Sequence, residues 1–177
     1  MTNYQETLDK FIKHVVSQAK RNLTSTGKNA SKKLYNSISG EAKQFPNSIG
    51  IYFDMEEYGF FQDKGVSGTK KKYNTPFSYK SKGGVKGLKG MPPPSAFDKW
   101  TIRRGIAPRG KGGKFQKRKG LNFAIARSIF EKGIKPSLFF TKPFEAAFKK
   151  FPDEMIESYG FDVVDLFDSI MKQNFKK

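Results

Sequence analysis

Lysine and arginine side chains crowd into one third of this chain, and cations at such density bind polyanions. Residues 64–120 hold 17 Lys and Arg against one acidic residue, a net +16 in a chain of net +18. Eleven of the 17 glycines lie in the same stretch. The pattern predicts a near-neutral body carrying a flexible cationic segment, which meets a polyanion or is neutralised by a partner protein.

The candidate contact residues fall in a Gly-rich insertion, at the end of a predicted helix, and in the loop that follows. With little to bury, the insertion is expected to be mobile in isolation. Arg103 and Arg104 equally suit the last turn of a helix, where the dipole favours cations. The candidate partner- or DNA-contacting residues are Lys70, Lys71, Lys72, Lys80, Lys82, Lys86, Lys89, Arg103, Arg104, Arg109, Lys111, Lys114, Lys117, Arg118 and Lys119.

Catalytic combinations are sparse. His14 is the single histidine and cysteine is absent, so neither a nucleophile–histidine pair oriented by a carboxylate nor a thiol-bound metal is expected. Four acids, Asp54, Glu56, Glu57 and Asp63, lie around predicted strands, where charged strand ends explain them more simply than a metal-dependent nuclease. We expect no enzyme, no metal site and no cofactor.

Gly105 to Lys111 matches the first seven positions of the phosphate-binding loop of nucleotide hydrolases. Gly112 stands where that loop needs a hydroxyl for magnesium, and Pro108 lies inside it. A basic helix also precedes it in place of a buried strand. The sequence therefore argues against a nucleotide site.

At 177 residues the chain suits a single domain, 1–177. We divide it into a core (about 3–64, 91–105 and 121–152), a basic insertion (65–90), a basic loop (106–120) and a C-terminal helix (153–175). No apolar run reaches membrane-spanning length, and the first residues do not resemble a signal peptide. We expect a protein that works in a cytoplasm or in a particle assembled there.

Apolar periodicity places the first elements. Leu8, Phe11, Ile12, Val15, Val16, Ala19 and Leu23 predict a helix over about 3–23. Strands are expected next: a short one begins at Leu34 and closes at Gly40, and another covers residues 48–53 after a turn at Pro46-Asn47. Residues 58–62 fit a strand or a helical turn.

The second half alternates helices with short connections. Ser95 is expected to cap a helix with Phe97, Trp100 and Ile102 facing inward. The next helix carries Leu121, Ala124, Ile125, Ser128 and Ile129 on one face and Phe123 and Phe130 on another. Residues 137–140 are expected to form a strand, and Thr141 to cap a helix with Pro143 in its first turn. The apolar face of the last helix is Ile156, Tyr159, Val163, Phe167 and Ile170, with Asp162, Asp165 and Asp168 on its outer face.

Aromatic residues are abundant, with 18 Phe and 7 Tyr. Because the buried centres of protein interfaces favour aromatics, the surplus indicates subunit contacts. Phe77 and Tyr79 could anchor the insertion or stack on bases. The candidate core or interface aromatics are Trp100, Phe123, Phe130, Phe139, Phe140 and Phe144.

Several runs together resemble the neck proteins of tailed bacteriophages, in the tail-completion or head–tail joining family. They are residues 91–106 (MPPPSAFDKWTIRRGI), 121–134 (LNFAIARSIFEKGI) and 138–144 (LFFTKPF). The front end agrees, with an amphipathic helix before residues 34–38 (LYNSI) and then 57–65 (EYGFFQDKG). The resemblance covers most of residues 5–150.

This resemblance implies an α+β fold, a small antiparallel sheet packed against several helices, here with a long basic Gly-rich insertion loop. It also implies a homo-oligomeric ring between portal or adaptor and tail tube, through which DNA passes in the virion. The basic segments would line the channel or clasp a neighbour. The alternative is a sequence-independent basic DNA-binding protein.

Overall fold

The computed structural model describes residues 3–28, 30–45, 48–110 and 112–174, with side chains described as far as Val164 in the last helix. The fold is α+β, as the resemblance implies: helices dominate, and the strands form two small antiparallel pairs. In chain order the elements are α1 (Asn3–Ser25), α2 (Lys33–Ser37), β1 (Ser39–Phe45), β2 (Ser48–Asp54), α3 (Tyr58–Lys64), β3 (Val66–Ser67), α4 (Asp98–Arg103), α5 (Arg118–Lys132), β4 (Gly133–Ile134), α6 (Thr141–Phe148) and α7 (Phe151–Asn174).

Backbone contacts divide the chain into two compact units. The first unit comprises Met1–Leu23, Ser37–Met55 and Phe139–Lys177, and the second comprises Thr24–Asn36 and Glu56–Leu138. The two units are described separately below. The single domain inferred from length stays a prediction.

The first unit is built on α1, whose predicted stripe is confirmed. Its buried residues are Leu8, Phe11, Ile12, Val15, Ala19 and Leu23. Phe11 packs against Phe151 with 4.3 Å between ring centroids, and Phe53 meets Phe140 edge-on at 5.2 Å. Aromatic rings from four elements and a connecting segment therefore close this core around one face of α1.

A hairpin of β1 and β2 covers part of that core. Its register runs from Ser39 opposite Asp54 to Phe45 opposite Ser48. The predicted Pro46-Asn47 turn lies outside the described residues. Gly40, expected to end a strand, instead lies inside β1, where a Cβ atom would sit 2.7 Å from Cγ2 of Ile12. The strand needs glycine there because it crosses α1 too closely for a side chain.

Two strand predictions were wrong. Residues 33–37 form α2 ahead of β1, and residues 137–140 form no strand. The Ser137 amide donates to the carbonyls of Gln62 (3.2 Å) and Asp63 (3.1 Å), and the Leu138 amide donates to Asp63 at 3.0 Å. This segment therefore satisfies carbonyls at the end of α3, which have no partner inside their own helix.

The predicted cap at Ser95 was also wrong. Residues Pro94–Phe97 form a 3₁₀ turn without a side-chain cap, and α4 begins only at Asp98. The Asp98 carboxylate accepts a hydrogen bond of 2.9 Å from Nδ2 of Asn122 on α5. Thr101, fully buried, lies 3.5 Å from the same amide group. Polar groups thus join α4 to α5, so α5 turns Asn122, Ala126 and Phe130 inward, not the predicted stripe.

The helices at the end of the chain follow the predicted order. Pro143 lies in the first turn of α6, as expected, but the predicted cap at Thr141 was wrong: Thr141 is the first residue of the helix, and Phe140 holds the cap position without a side-chain hydrogen bond. α7 begins at Phe151, so Pro152 lies in its first turn, where a missing amide hydrogen costs little.

A carboxylate from α7 holds the start of α1. Asp162 accepts hydrogen bonds from the backbone amides of Asn3 (2.8 Å) and Tyr4 (2.9 Å). Amides in the first turn of a helix have no intrahelical acceptor, and that end of the helix dipole attracts negative charge. Asp162 therefore acts as a cap supplied from a distant part of the chain.

We predict that Asp162→Ala lowers the free energy of unfolding by about 1–2 kcal/mol, the usual cost of losing a charged helix cap. Urea unfolding at neutral pH measures the change as a lower midpoint with an unchanged slope. Glu145→Ala, which removes an exposed acid from α6, serves as the control. Equal losses in the two variants would contradict the capping role.

Candidate interaction surfaces

The net charge of the protein belongs entirely to the second unit. Thr24–Asn36 and Glu56–Leu138 contain 23 Lys and Arg and 5 Asp and Glu, a difference of +18. The first unit contains 11 of each, a difference of zero. Within it, α7 holds six acids against Lys172, a difference of −5. Opposite charges are therefore segregated on different parts of the same chain.

Hydrogen bonds to a single serine, Ser67, hold together the first part of the insertion. Ser67 donates its amide to the Phe77 carbonyl and accepts from the Tyr79 amide, both at 2.8 Å. Its hydroxyl oxygen also accepts from the Tyr73 amide at 2.9 Å. Two residues further on, the amides of Thr69 and Lys70 donate to the carbonyls of Phe130 and Glu131, both at 2.9 Å.

These contacts place the insertion at the C-terminus of α5, where carbonyl groups lack intrahelical donors and the dipole is negative. A cationic segment suits that position. The rest of the insertion closes on itself, with the Lys82 amide donating to Lys89 at 2.8 Å and Lys89 donating to Gly83 at 2.9 Å. The expected mobility stays a prediction, although the described backbone is hydrogen-bonded at both ends.

Phe77 and Tyr79 serve as anchors in this arrangement. Phe77 meets Phe61 edge-on at 4.7 Å, and Tyr79 lies 6.0 Å from the buried ring of Phe130. Burial raises the pKa of the Tyr79 hydroxyl. A pocket of about 620 Å³ remains beside these rings, with Lys80 at its edge.

The seven predicted lysines of the insertion are all exposed, and three have a contact within their own unit. Lys70 pairs with Glu131 at 3.0 Å, Lys71 lies 5.4 Å from the centre of the Tyr73 ring, and Lys72 donates to the Gly68 carbonyl at 3.2 Å. Hydrogen bonds from Lys70 and Arg127 lower the pKa of Glu131. Lys80, Lys82, Lys86 and Lys89 extend beyond this cluster, so most of the cationic surface faces solvent.

The other predicted cations lie at the end of α4, in the connection to α5 and in the first turn of α5. Arg103 is exposed, and Arg104 donates to the Gly27 carbonyl. Arg109 stacks on Phe115 at 4.5 Å from the ring centre, and the two residues pair as antiparallel backbone. Lys114, Lys117, Arg118 and Lys119 are exposed, and Lys111 lies outside the described residues.

The predicted aromatic set does not form one cluster. Phe130 is buried in the second unit, and Phe139 is buried in the first, where Phe140 and Phe144 join the core. Trp100 and Phe123 are 39% and 41% exposed, so the inward orientation expected for Trp100 was wrong. Ile102, 52% exposed, was also assigned inward incorrectly. Their helices turn Thr101 and Asn122 inward instead.

The predicted buried face of α7 was wrong in its described part. The helix turns Phe151, Met155, Ser158 and Asp162 towards its own unit, whereas Ile156, Tyr159 and Val163 are 73%, 61% and 49% exposed. At about 100° per residue, the exposed stripe lies roughly 100° around the helix from the packed side. The predicted members from Asp165 onwards, including Phe167, Asp168 and Ile170, lie outside the described side chains.

The carboxylates considered for a nuclease are not gathered. Asp54 ends β2 in the first unit, whereas Asp63 is buried in the second. Burial lowers the pKa of Lys28, and the negative charge of Asp63 offsets part of that effect. No group of three potential metal ligands occurs among the described residues. No helix in the described ranges has both the length and the apolar content needed to cross a bilayer.

Comparison of the chain with protein-family models, curated proteins and solved structures found no match. The candidate surfaces therefore stand on their own geometry. The sequence analysis did not identify Phe115 as a candidate contact residue, and it did not predict the exposed apolar stripe of α7. The signal for Phe115 was an aromatic residue surrounded by Gly and Lys.

Gly68 packs closely against the end of α5 where the insertion is attached. A Cβ atom there would lie 2.2 Å from the Glu131 carbonyl oxygen. We predict that Gly68→Ala costs about 1–3 kcal/mol, as overpacking does, and speeds hydrogen exchange at Thr69 and Lys70. The control is Gly120→Ala on α5, where no atom lies within 4 Å and the helix should gain slightly. Unchanged exchange in Gly68→Ala would refute the attachment.

Proposed function

We propose that this protein is a structural virion subunit, one copy in a ring of the phage neck that joins the capsid portal or adaptor to the tail tube. The observation that carries the proposal is the exposed apolar stripe of α7. Soluble monomers seldom expose such a contiguous stripe, and where one occurs it marks a contact with another molecule.

Two further features support an assembling subunit. The β1–β2 hairpin pairs with no third strand among the described residues, and it exposes Phe45, Ile49 and Tyr52 at 41–44%. Charge is split between a neutral unit with an acidic helix and a strongly cationic unit. A ring needs two different surfaces per subunit, so that each copy contacts one neighbour on either side.

The resemblance to neck proteins is the reason for proposing a phage neck and not another kind of assembly. Residues 91–106 and 121–134, which carry it, form the α4 and α5 region of the second unit. In a ring around a DNA channel, this unit would present its cations either to DNA passing through or to a neighbouring subunit. No catalytic role is part of the proposal.

The test is the mass of the purified chain across micromolar to millimolar concentrations, together with a reconstruction of particles of the phage that encodes it. We expect closed oligomers of the 20.1 kDa subunit and a matching ring in the neck. A protein that stays monomeric throughout and is absent from purified particles would end the proposal.

A second candidate, a sequence-independent DNA-binding protein, is favoured by the exposure of Lys80, Lys82, Lys86 and Lys89. Each phosphate neutralised on duplex DNA lowers the slope of log affinity against log salt by about 0.9. Changing these four lysines to Gln should therefore flatten that slope by up to about 3.6.

The matched control changes four exposed lysines of the first unit, Lys13, Lys142, Lys149 and Lys150, to Gln. It removes the same charge and should leave the slope unchanged. Tight, salt-sensitive binding by a monomer favours this candidate over the ring. Equal effects of the two sets would mean that binding follows net charge alone.

A further inference from the structure

The exposed side of α7 contains a notch. A methyl group placed on Gly160 would meet no atom within 4 Å beyond the backbone of its own helix. On a helix surface the neighbours of a residue are those three and four positions away, here Ile156, Glu157, Val163 and Val164. The four are exposed. We call this depression, bounded by three apolar residues and one acid, the Gly160 notch.

Glycine in the middle of an exposed helix costs about 1 kcal/mol relative to alanine. Nothing packs into the space at Gly160 within the first unit, so its own core does not explain the residue. A missing side chain with four neighbours around it has the form of the hole that receives a knob in helix packing. Because three of its neighbours are apolar and one is acidic, the notch would bind an apolar side chain that has a cationic residue beside it.

The second unit carries a side chain of that kind. Phe115 is 70% exposed, more than any other aromatic residue described as exposed. It is held by a short hairpin in which the Gly110 amide donates to Lys114 at 2.9 Å and the Gln116 amide donates to Pro108 at 3.0 Å. Arg109 stacks on one face of the ring, and Lys114 is exposed beside it. We call this segment the Phe115 hairpin.

We infer that the Phe115 hairpin of one copy docks in the Gly160 notch of the next, with its cations facing Glu157 and Asp153. This inference rests on the proposed ring and names its subunit contact. Charge complementarity supports the second unit of another copy as the partner of the Gly160 notch, because α7 is acidic and the second unit has a net charge of +18. The contact joins unlike surfaces, so each copy can act as both donor and acceptor, as a ring requires.

The experiment uses the full-length chain and two variants that should both fold. Gly160→Leu fills the notch with a good helix former, and Phe115→Ala removes the knob from an exposed site. Sedimentation velocity should show that each variant alone is monomeric, while thermal unfolding shows that Gly160→Leu is at least as stable as the natural chain. Gly120→Leu and Ile102→Ala, at an open helical glycine and an exposed apolar residue of the second unit, should still assemble.

Mixing the two variants gives the decisive measurement. Each retains one intact surface, so the mixture should form a one-to-one dimer of twice the 20.1 kDa subunit mass and nothing larger. Assembly of either variant alone overturns the inference, as does failure of the mixture to dimerise or loss of assembly in the controls. If the natural chain assembles but the variants have no effect, the ring survives and only this contact fails. A natural chain that never assembles ends both.

Discussion

The orientation of α7 is set by the two hydrogen bonds that Asp162 accepts from the first turn of α1. Once this carboxylate faces α1, the residues one turn before it and further back, Ser158, Met155 and Phe151, must face the same way. The side packed against the first unit is therefore partly polar. The more apolar side of the helix, with Ile156, Tyr159 and Val163, is left exposed.

A similar polar constraint governs the second unit. The end of α5 offers carbonyls and Glu131, and the insertion supplies amides and Lys70 to satisfy them. Exposed ion pairs contribute little by themselves, so the backbone hydrogen bonds matter more to this attachment than the pairing of charges. Since only Lys70 among the insertion lysines meets an acid within the described residues, the cationic character of the unit survives folding.

Much of the local structure could be predicted from the sequence. The stripe of α1, the strand from Ser48 and the first turn of α6 follow from periodicity and from where proline is tolerated. The buried face of α7 was assigned wrongly, and the burial of Asn122 on α5 was not foreseen, for a common reason. Periodicity finds the most apolar face of a helix, but Asn122 and Asp162 are drawn inward by partners 24 and more than 150 residues away.

The candidate site shows the same limit. Its cations could be read directly from composition, because charge at this density has few places to be buried. The Gly160 notch could not be predicted from the sequence. A glycine in a helix indicates a binding site only when the structure shows that the surrounding side chains are exposed.

The exposed stripe of α7 also bears on how the apolar surface is divided between the core and the exterior of the first unit. The first unit closes its core with aromatic rings around Phe11, and from the outer stripe of α7 Tyr159 adds a contact with the ring of Tyr4 at 6.4 Å. The second unit, at +18, is repelled by a second copy of itself, so pairing of like surfaces through its cations is unfavourable. By charge, the neutral unit with its acidic helix is a better partner for the cationic unit of another copy. In the proposed ring, this division of charge favours head-to-tail contacts over contacts between like surfaces, and the geometry of each contact decides whether the copies close into a ring.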